Sequence, residues 1–176
     1  MSKTMAKPLK IISMALMVLM ILLAVLMAGV RIFGVQIYMV LSGSMEPKYP
    51  TGSLLYITST NPDKLEAGDV ITFRLNDRVT ATHRIVEVVT DAASGEEKFR
   101  TKGDANEVTD TALVDKEDVI GKAVFCIPFL GYLAAFIQQP PGLYVAIAAA
   151  VLMIVLVFLS DALQEEKAKG EKSNEE

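Results

Sequence analysis

Apolar residues in this chain gather in two long blocks. Residues 11–30 read IISMALMVLMILLAVLMAGV, without a charge. At 1.5 Å per residue a helix of that length spans roughly 30 Å, the thickness of a bilayer core. Residues 143–159, LYVAIAAAVLMIVLVFL, form a second uncharged run, just long enough to cross. Neither block shows the polar face of a helix lying on a soluble core. The apolar region of a cleaved secretory signal runs about 7–15 residues and ends at small residues. The first block is longer and is followed by Arg31 and bulky side chains, so it is expected to remain as an anchor. Lys3, Lys7 and Lys10 precede it and favour the cytoplasmic side. The expected organisation is a cytoplasmic N-terminus over 1–10, a span over 11–30, an extracytoplasmic domain over 31–142, a second span over 143–159, and a cytoplasmic polar tail over 160–176. The tail reads as a frayed helix end or disorder.

Between the spans the period changes to two. Leu54–Thr58 (LLYIT) follows a turn at Gly52-Ser53. In Val70–Leu75, Ile71, Phe73 and Leu75 alternate with Thr72 and Arg74, a strand signature. Asn76-Asp77-Arg78 then reads as a hairpin turn. Val79–Thr90 (VTATHRIVEVVT) is rich in β-branched residues, Lys98–Thr101 returns against it, and Val119–Ile127 is the last strong strand. No convincing helix lies between Val35 and Pro128. The expected fold is mainly β, a small antiparallel sandwich or barrel between two transmembrane helices. Residues 129–136 carry Phe129, Tyr132 and Phe136 before Pro140-Pro141. Aromatics of that kind favour a bilayer interface.

Composition narrows the chemistry. Apolar residues make up 52% and charged ones 22%, yet mean hydropathy is +0.39, as expected when grease is blocked rather than mixed. The net charge is −4 with no long basic run, which argues against a nucleic-acid partner. Cys126 and His83 are the only residues of their kinds. No intramolecular disulfide, thiolate zinc site or two-histidine metal site can form. No cofactor or metal is expected.

Nucleophile chemistry has one arrangement open to it. A serine needs a base to take its proton, and His83 is the only histidine. Ser42-Gly43-Ser44-Met45-Glu46-Pro47 follows the first span closely. A carboxylate is needed to hold the imidazole tautomer, and Asp104 and Asp110 follow in a Gly- and Asn-containing loop. Residue chemistry alone favours a core histidine held by a hydrogen bond and aspartates that cap turns.

Taken together and in order, these residues resemble the type I signal peptidases, in the archaeal and endoplasmic-reticulum branch also found in some spore-forming bacteria. Ser42-Gly43-Ser44-Met45-Glu46-Pro47 is similar to the family's serine box. Gly68-Asp69-Val70-Ile71 resembles its Gly-Asp strand start, and Thr82-His83-Arg84-Ile85 its His-Arg box. Thr101-Lys102-Gly103-Asp104-Ala105-Asn106, with Asp110 after it, resembles its Gly-Asp-x-Asn box. Ile120-Gly121-Lys122 and Ile127-Pro128-Phe129-Leu130-Gly131-Tyr132 resemble its closing elements.

The resemblance implies a membrane-bound serine endopeptidase that removes N-terminal signal peptides. Ser44 would be the nucleophile, His83 the general base where the common bacterial branch uses lysine, and Asp110 the triad carboxylate. Asp104 would be essential but structural, bonding loop amides. Ser42 and the Ser44 amide would form the oxyanion hole, and Met45 a wall of the substrate pocket. Partners would be secretory pre-proteins with small residues first and third before the bond, and the lipid bilayer. The protein-export channel and accessory subunits are further partners the resemblance leaves open. The location would be a prokaryotic cell membrane with the catalytic domain outside, with the endoplasmic-reticulum membrane as the alternative. One departure is Gly52-Ser53, where the family often has Gly-Asp in a cap. An inactive, membrane-anchored subunit that binds pre-proteins is the competing reading. The joint presence of Ser44, His83, Asp104 and Asp110 argues against it.

Overall fold

A computed structural model describes residues 6–27, 29–92 and 95–172. It divides into two compact units, one of residues 30–134 and one formed by residues up to 29 together with those from 135 onward.

The second of these holds two long helices, α1 (Ala6–Met27) and α3 (Gly142–Lys172). Pro8 sits in the first turn of α1, where its missing N–H is not needed. Helix formation therefore starts before the apolar block rather than with it. At the other end α1 stops at Met27, and a 3-10 turn, Gly29–Phe33, follows. The helix α3 runs well past residue 159 into the polar tail, whose Glu, Lys, Gln and Ala are strong helix formers. Both helices include stretches long and apolar enough to cross a membrane, Lys10–Phe33 (with the 3-10 turn) and Gly142–Ala162. Lys10 Nζ lies 2.6 Å from Asp161 Oδ1, an ion pair whose angles are not those of a hydrogen bond. That contact brings the start of α1 to the later part of α3, so the two run antiparallel.

The other unit is one antiparallel sheet. Its strands are β1 (Val35–Met39), β2 (Leu54–Thr58), β3 (Val70–Arg74), β4 (Thr80–Thr90), β5 (Glu97–Lys102), β6 (Val114–Asp115) and β7 (Val119–Ile127). The spatial order is β1-β2-β7-β3-β4-β5-β6. Strand β2 lies between β1 and β7, and Leu54, Leu55, Tyr56 and Ile57 are all buried, which is why it reads as an unbroken apolar run. Two core clusters form. One gathers Met45, Tyr49, Leu55, Ile57, Val70 and Ala123; the other gathers Leu65, Ile71, Phe73, Ile85, Phe99 and Val114. Ile57, Ile71 and Ile85 are fully buried, each contributing about 1.5–3 kcal/mol by leaving water.

Two irregularities bear on the site. Strand β4 pairs with β3 through Thr80–Arg84 but with β5 only from Arg84 onward, and a bulge at Val86 separates Ile85 from Glu87. One edge of β4 before Arg84 is thus left without a neighbouring strand. A short helix, α2 (Leu130–Gln138), follows β7. At its start the Gly131 amide donates to the Gly52 carbonyl at 2.9 Å.

Candidate active site

Ser44 lies in a 3-10 turn, Gly43–Met45, on the loop from β1 to β2. Met45 anchors that turn by burying its side chain in the first core cluster. Across the loop, the Ala105 amide donates to the Ser44 carbonyl at 2.9 Å. A Cβ on Gly103 would stand 2.6 Å from that same carbonyl, closer than real Cβ contacts. The turn after β5 therefore reaches the serine only because residue 103 has no side chain.

His83 comes from β4, where its ring meets Phe73 edge-on with centroids 6.3 Å apart. Its Nε2 lies 3.2 Å from Ser44 Oγ, and its Nδ1 lies 2.6 Å from Asp110 Oδ2. An ionised carboxylate only accepts, so Nδ1 carries the hydrogen and Nε2 turns its lone pair to the serine. Asp110 is fixed in turn. The Thr101 hydroxyl donates to Asp110 Oδ2 at 2.6 Å, and the Asp110 amide donates to the Thr101 carbonyl at 2.9 Å. Thr101 is fully buried, whereas the His83 and Asp110 side chains keep 15% and 26% of their exposure.

Asp104 takes a different partner. Arg84 donates from Nε to Asp104 Oδ1 at 2.7 Å and from Nη2 to Oδ2 at 2.5 Å, and from Nη1 to the Gly68 carbonyl at 2.7 Å. The carboxylate is thus bonded to a guanidinium rather than to loop amides. The hydrogen-bonded Asp104 pushes the Arg84 pKa up, against a smaller opposing effect of burial. This two-pronged pair fastens the turn that holds Ser44 to the strand that holds His83.

Ser42 Oγ lies 3.3 Å from Ser44 Oγ, and Ser42 is exposed. Both serines line a cavity of about 290 Å³ together with His83, Met45, Tyr49 and Leu55. Burial pushes the Tyr49 phenol above its ordinary range, so it lines the cavity as a neutral group. Two strand edges flank this cavity. Val40 donates to the Ser53 carbonyl and accepts from the Gly52 amide. By antiparallel alternation, the amides and carbonyls of Met39 and Leu41 then face away from β2. On β4, Ile85 is bonded to Asp69 and Gly68 on the β3 side, so those of Thr80 and Thr82 face away from β3.

Ser53 is fully buried, and its hydroxyl donates to the Pro50 carbonyl at 2.5 Å. The turn needs no carboxylate there. Among the described residues no group of His, Cys, Asp and Glu could hold a metal ion. Sequence reasoning gave no role to Thr101 or Arg84. An inward-facing threonine on a strand ending in an acidic loop was the available signal for the first; Arg84 offered only its place beside His83.

Residues 11–97 match the family described as signal peptidase, peptidase S26. The chain is 35% identical over 129 residues to the "Signal peptidase complex catalytic subunit SEC11C" of Rattus norvegicus, covering 69% of this chain and 67% of that protein. The Homo sapiens protein of the same description is matched equally well. The "Signal peptidase complex catalytic subunit SEC11" of Verticillium alfalfae is 33% identical over 130 residues, covering 69% of this chain and 74% of that protein.

Proposed function

The chain belongs to the signal peptidase family, peptidase S26, a hydrolase that removes signal peptides, and we propose that it cuts with Ser44 as nucleophile, His83 as base and Asp110 as the group that orients the imidazole. The observation that carries this reading is the continuous line from Ser44 Oγ through both His83 nitrogens to Asp110, at 3.2 and 2.6 Å.

The steps follow from those atoms. His83 Nε2 takes the serine proton as Oγ attacks the peptide carbonyl. Asp110 stabilises the imidazolium so formed. Negative charge gathers on the carbonyl oxygen, where the Ser44 amide and the Ser42 hydroxyl are the donors at hand. Imidazolium then protonates the leaving amine, and water, activated by the same base, releases the acyl group from Ser44. Loss of one oxyanion donor typically costs about 3–4 kcal/mol, so Ser42→Ala should slow turnover by about 10²–10³-fold. Asp104 and Arg84 act through the loops they join and are positioning residues.

The substrate lies extended between the free edges of β1 and β4, adding a strand that bonds to Met39 and Leu41 on one side and to Thr80 and Thr82 on the other. The small cavity beside Ser44, with Met45, Tyr49 and Leu55 on its walls, suits the small side chains first and third before the bond. The apolar helices anchor the chain in a membrane, with 31–142 outside the cytoplasm, 1–10 and 160–176 inside, and the exposed Phe129 and Tyr132 at the bilayer interface. A prokaryotic cell membrane is the proposed location, with the endoplasmic-reticulum membrane as the alternative. The relatives named above are subunits of a complex, and accessory subunits are proposed here by that likeness.

The test is to incubate detergent-solubilised protein with a labelled pre-protein and sequence the new N-terminus. A single cut behind a small-x-small stretch, absent with Ser44→Ala, is expected. Unchanged cutting by Ser44→Ala would sink the assignment.

A further inference from the structure

The catalytic cavity does not end at the reactive groups. A second cavity, of about 410 Å³, shares Tyr38 and Thr80 with it and continues along β1 to Gln36. Its outer wall is the tip of the β3–β4 hairpin. There Asn76 Oδ1 accepts from the Arg78 and Val79 amides at 3.0 Å each, so the turn is closed on itself and places residue 78 on the cavity wall. Three charged side chains line this space, Arg74, Asp77 and Arg78, and the two cations differ. Arg74 is engaged, donating to the Glu117 carbonyl at 2.7 Å and lying 3.7 Å from Asp118. Arg78 has no ion pair among the described residues and is exposed.

Position along the groove says what reaches it. Resting on the reading above, the small side chains that precede the cut occupy the cavity beside Ser44. Residues still further ahead of the cut must then run on along the same two edges. From Val40 back to Gln36 is roughly 13 Å at about 3.3 Å per residue, which brings about the fifth or sixth residue before the cut to Arg78. A substrate held in the bilayer by an apolar helix would pass near there from helix to extended strand. The last four carbonyls of a helix lack partners and carry partial negative charge, and a guanidinium is a matched donor to them and to carboxylate or amide side chains.

We propose that Arg78 is a specificity-determining residue that reads the pre-protein segment about five to six residues ahead of the cleaved bond, accepting carbonyl-bearing and acidic groups and rejecting basic ones. The asymmetry comes from a guanidinium with no ion pair among the described residues beside an Arg74 that is already engaged; Asp77 on the same cavity opposes it, so Asp77→Asn should widen the preference for Asp over Lys.

The experiment compares three pre-proteins that differ only there, with Asp, Gln or Lys at the fifth and sixth positions before the cut. Full-length protein in detergent micelles and in neutral-lipid vesicles is assayed for kcat/KM, with Ser44→Ala run alongside. Wild type should favour Asp over Lys by about tenfold, with Gln between. Arg78→Gln should flatten the series, and Arg78→Glu should reverse it, while Lys64→Glu, a charge change away from both cavities, should leave the order intact. A series unaltered by Arg78→Glu would overturn the proposal. So would an Arg78 effect that is equal for all three substrates, or that appears only when anionic lipid is added, since that would make the arginine a headgroup contact. Failure of the underlying reading looks different: cutting would persist in Ser44→Ala whatever the ranking.

Discussion

His83 is alone of its kind, so its chemistry can be interrogated by reagent as well as by mutation. Diethylpyrocarbonate should inactivate the enzyme and hydroxylamine restore it; full activity after modification would exclude the histidine base. A base histidine must be neutral to accept the serine proton, so the rate on a fixed substrate should fall along a single-proton curve as the medium is acidified. Ser44→Ala, His83→Ala and Asp110→Ala should each abolish processing, and double variants should be no worse than singles because the three act as a unit. His83→Lys should be inactive as well, since the Asp110 and Thr101 geometry is cut for a flat ring with two nitrogens. At this scale the sequence was legible wherever a residue type was scarce or arranged in a box: one histidine, two serines flanking a glycine, two loop aspartates. Residue types alone left open which partner each aspartate takes; the resemblance gave the imidazole to Asp110 but not Arg84 to Asp104. Arg84 and Asp104 meet only because β4 and β5 stand in register at Arg84↔Lys102, a relation that no local spacing encodes.

Elements carry their own tests. Gly103→Ala puts a methyl against the Ser44 carbonyl, which is backbone and cannot swing aside. Overpacking of this kind costs about 1–3 kcal/mol, so the variant should lower both the melting temperature and turnover, by tenfold or more for the latter. A variant that melts and turns over like wild type would refute the close approach. Met39→Pro removes an amide that faces the groove while leaving the ladder to β2 intact. It should cut kcat/KM by about tenfold or more with little loss of thermal stability, whereas Tyr38→Pro should unfold the edge. Strands β2, β3, β4, β5 and β7 were readable from their alternation or their β-branched runs. Strand β1 escaped because VQIYM is short and carries a single polar residue close behind the apolar block, and β6 because it is two residues long. Helix α2 was hidden by the even greasiness of residues 129–137, whose period is blurred by exposed aromatics: Phe129 and Tyr132 are 67% and 54% exposed.

For the molecule as a whole, the proposed topology puts both ends of the chain on one side of a membrane. With Cys126 replaced by serine, a cysteine at Ala92 should react with an impermeant reagent on intact vesicles of cell-surface orientation, and one at Ser173 should not; the reverse pattern would invert the topology read from Lys3, Lys7 and Lys10. The two apolar blocks were legible by length alone, but their helix limits were not, because Pro8 and the charged tail are both compatible with helix. The unfilled place between β1 and β4 has a consequence for the enzyme's own survival. The apolar helix α3 contains Ala146 and Ala148, small residues with one residue between them, the spacing attributed to substrates. Yet every amide there is already committed to its own helix, and a strand-shaped slot offers such a segment no bonds. Conformation thus screens candidates before side chains do. On the proposed binding mode, resident helices are spared as long as they stay wound, and a substrate becomes cleavable at the point where its helix gives way.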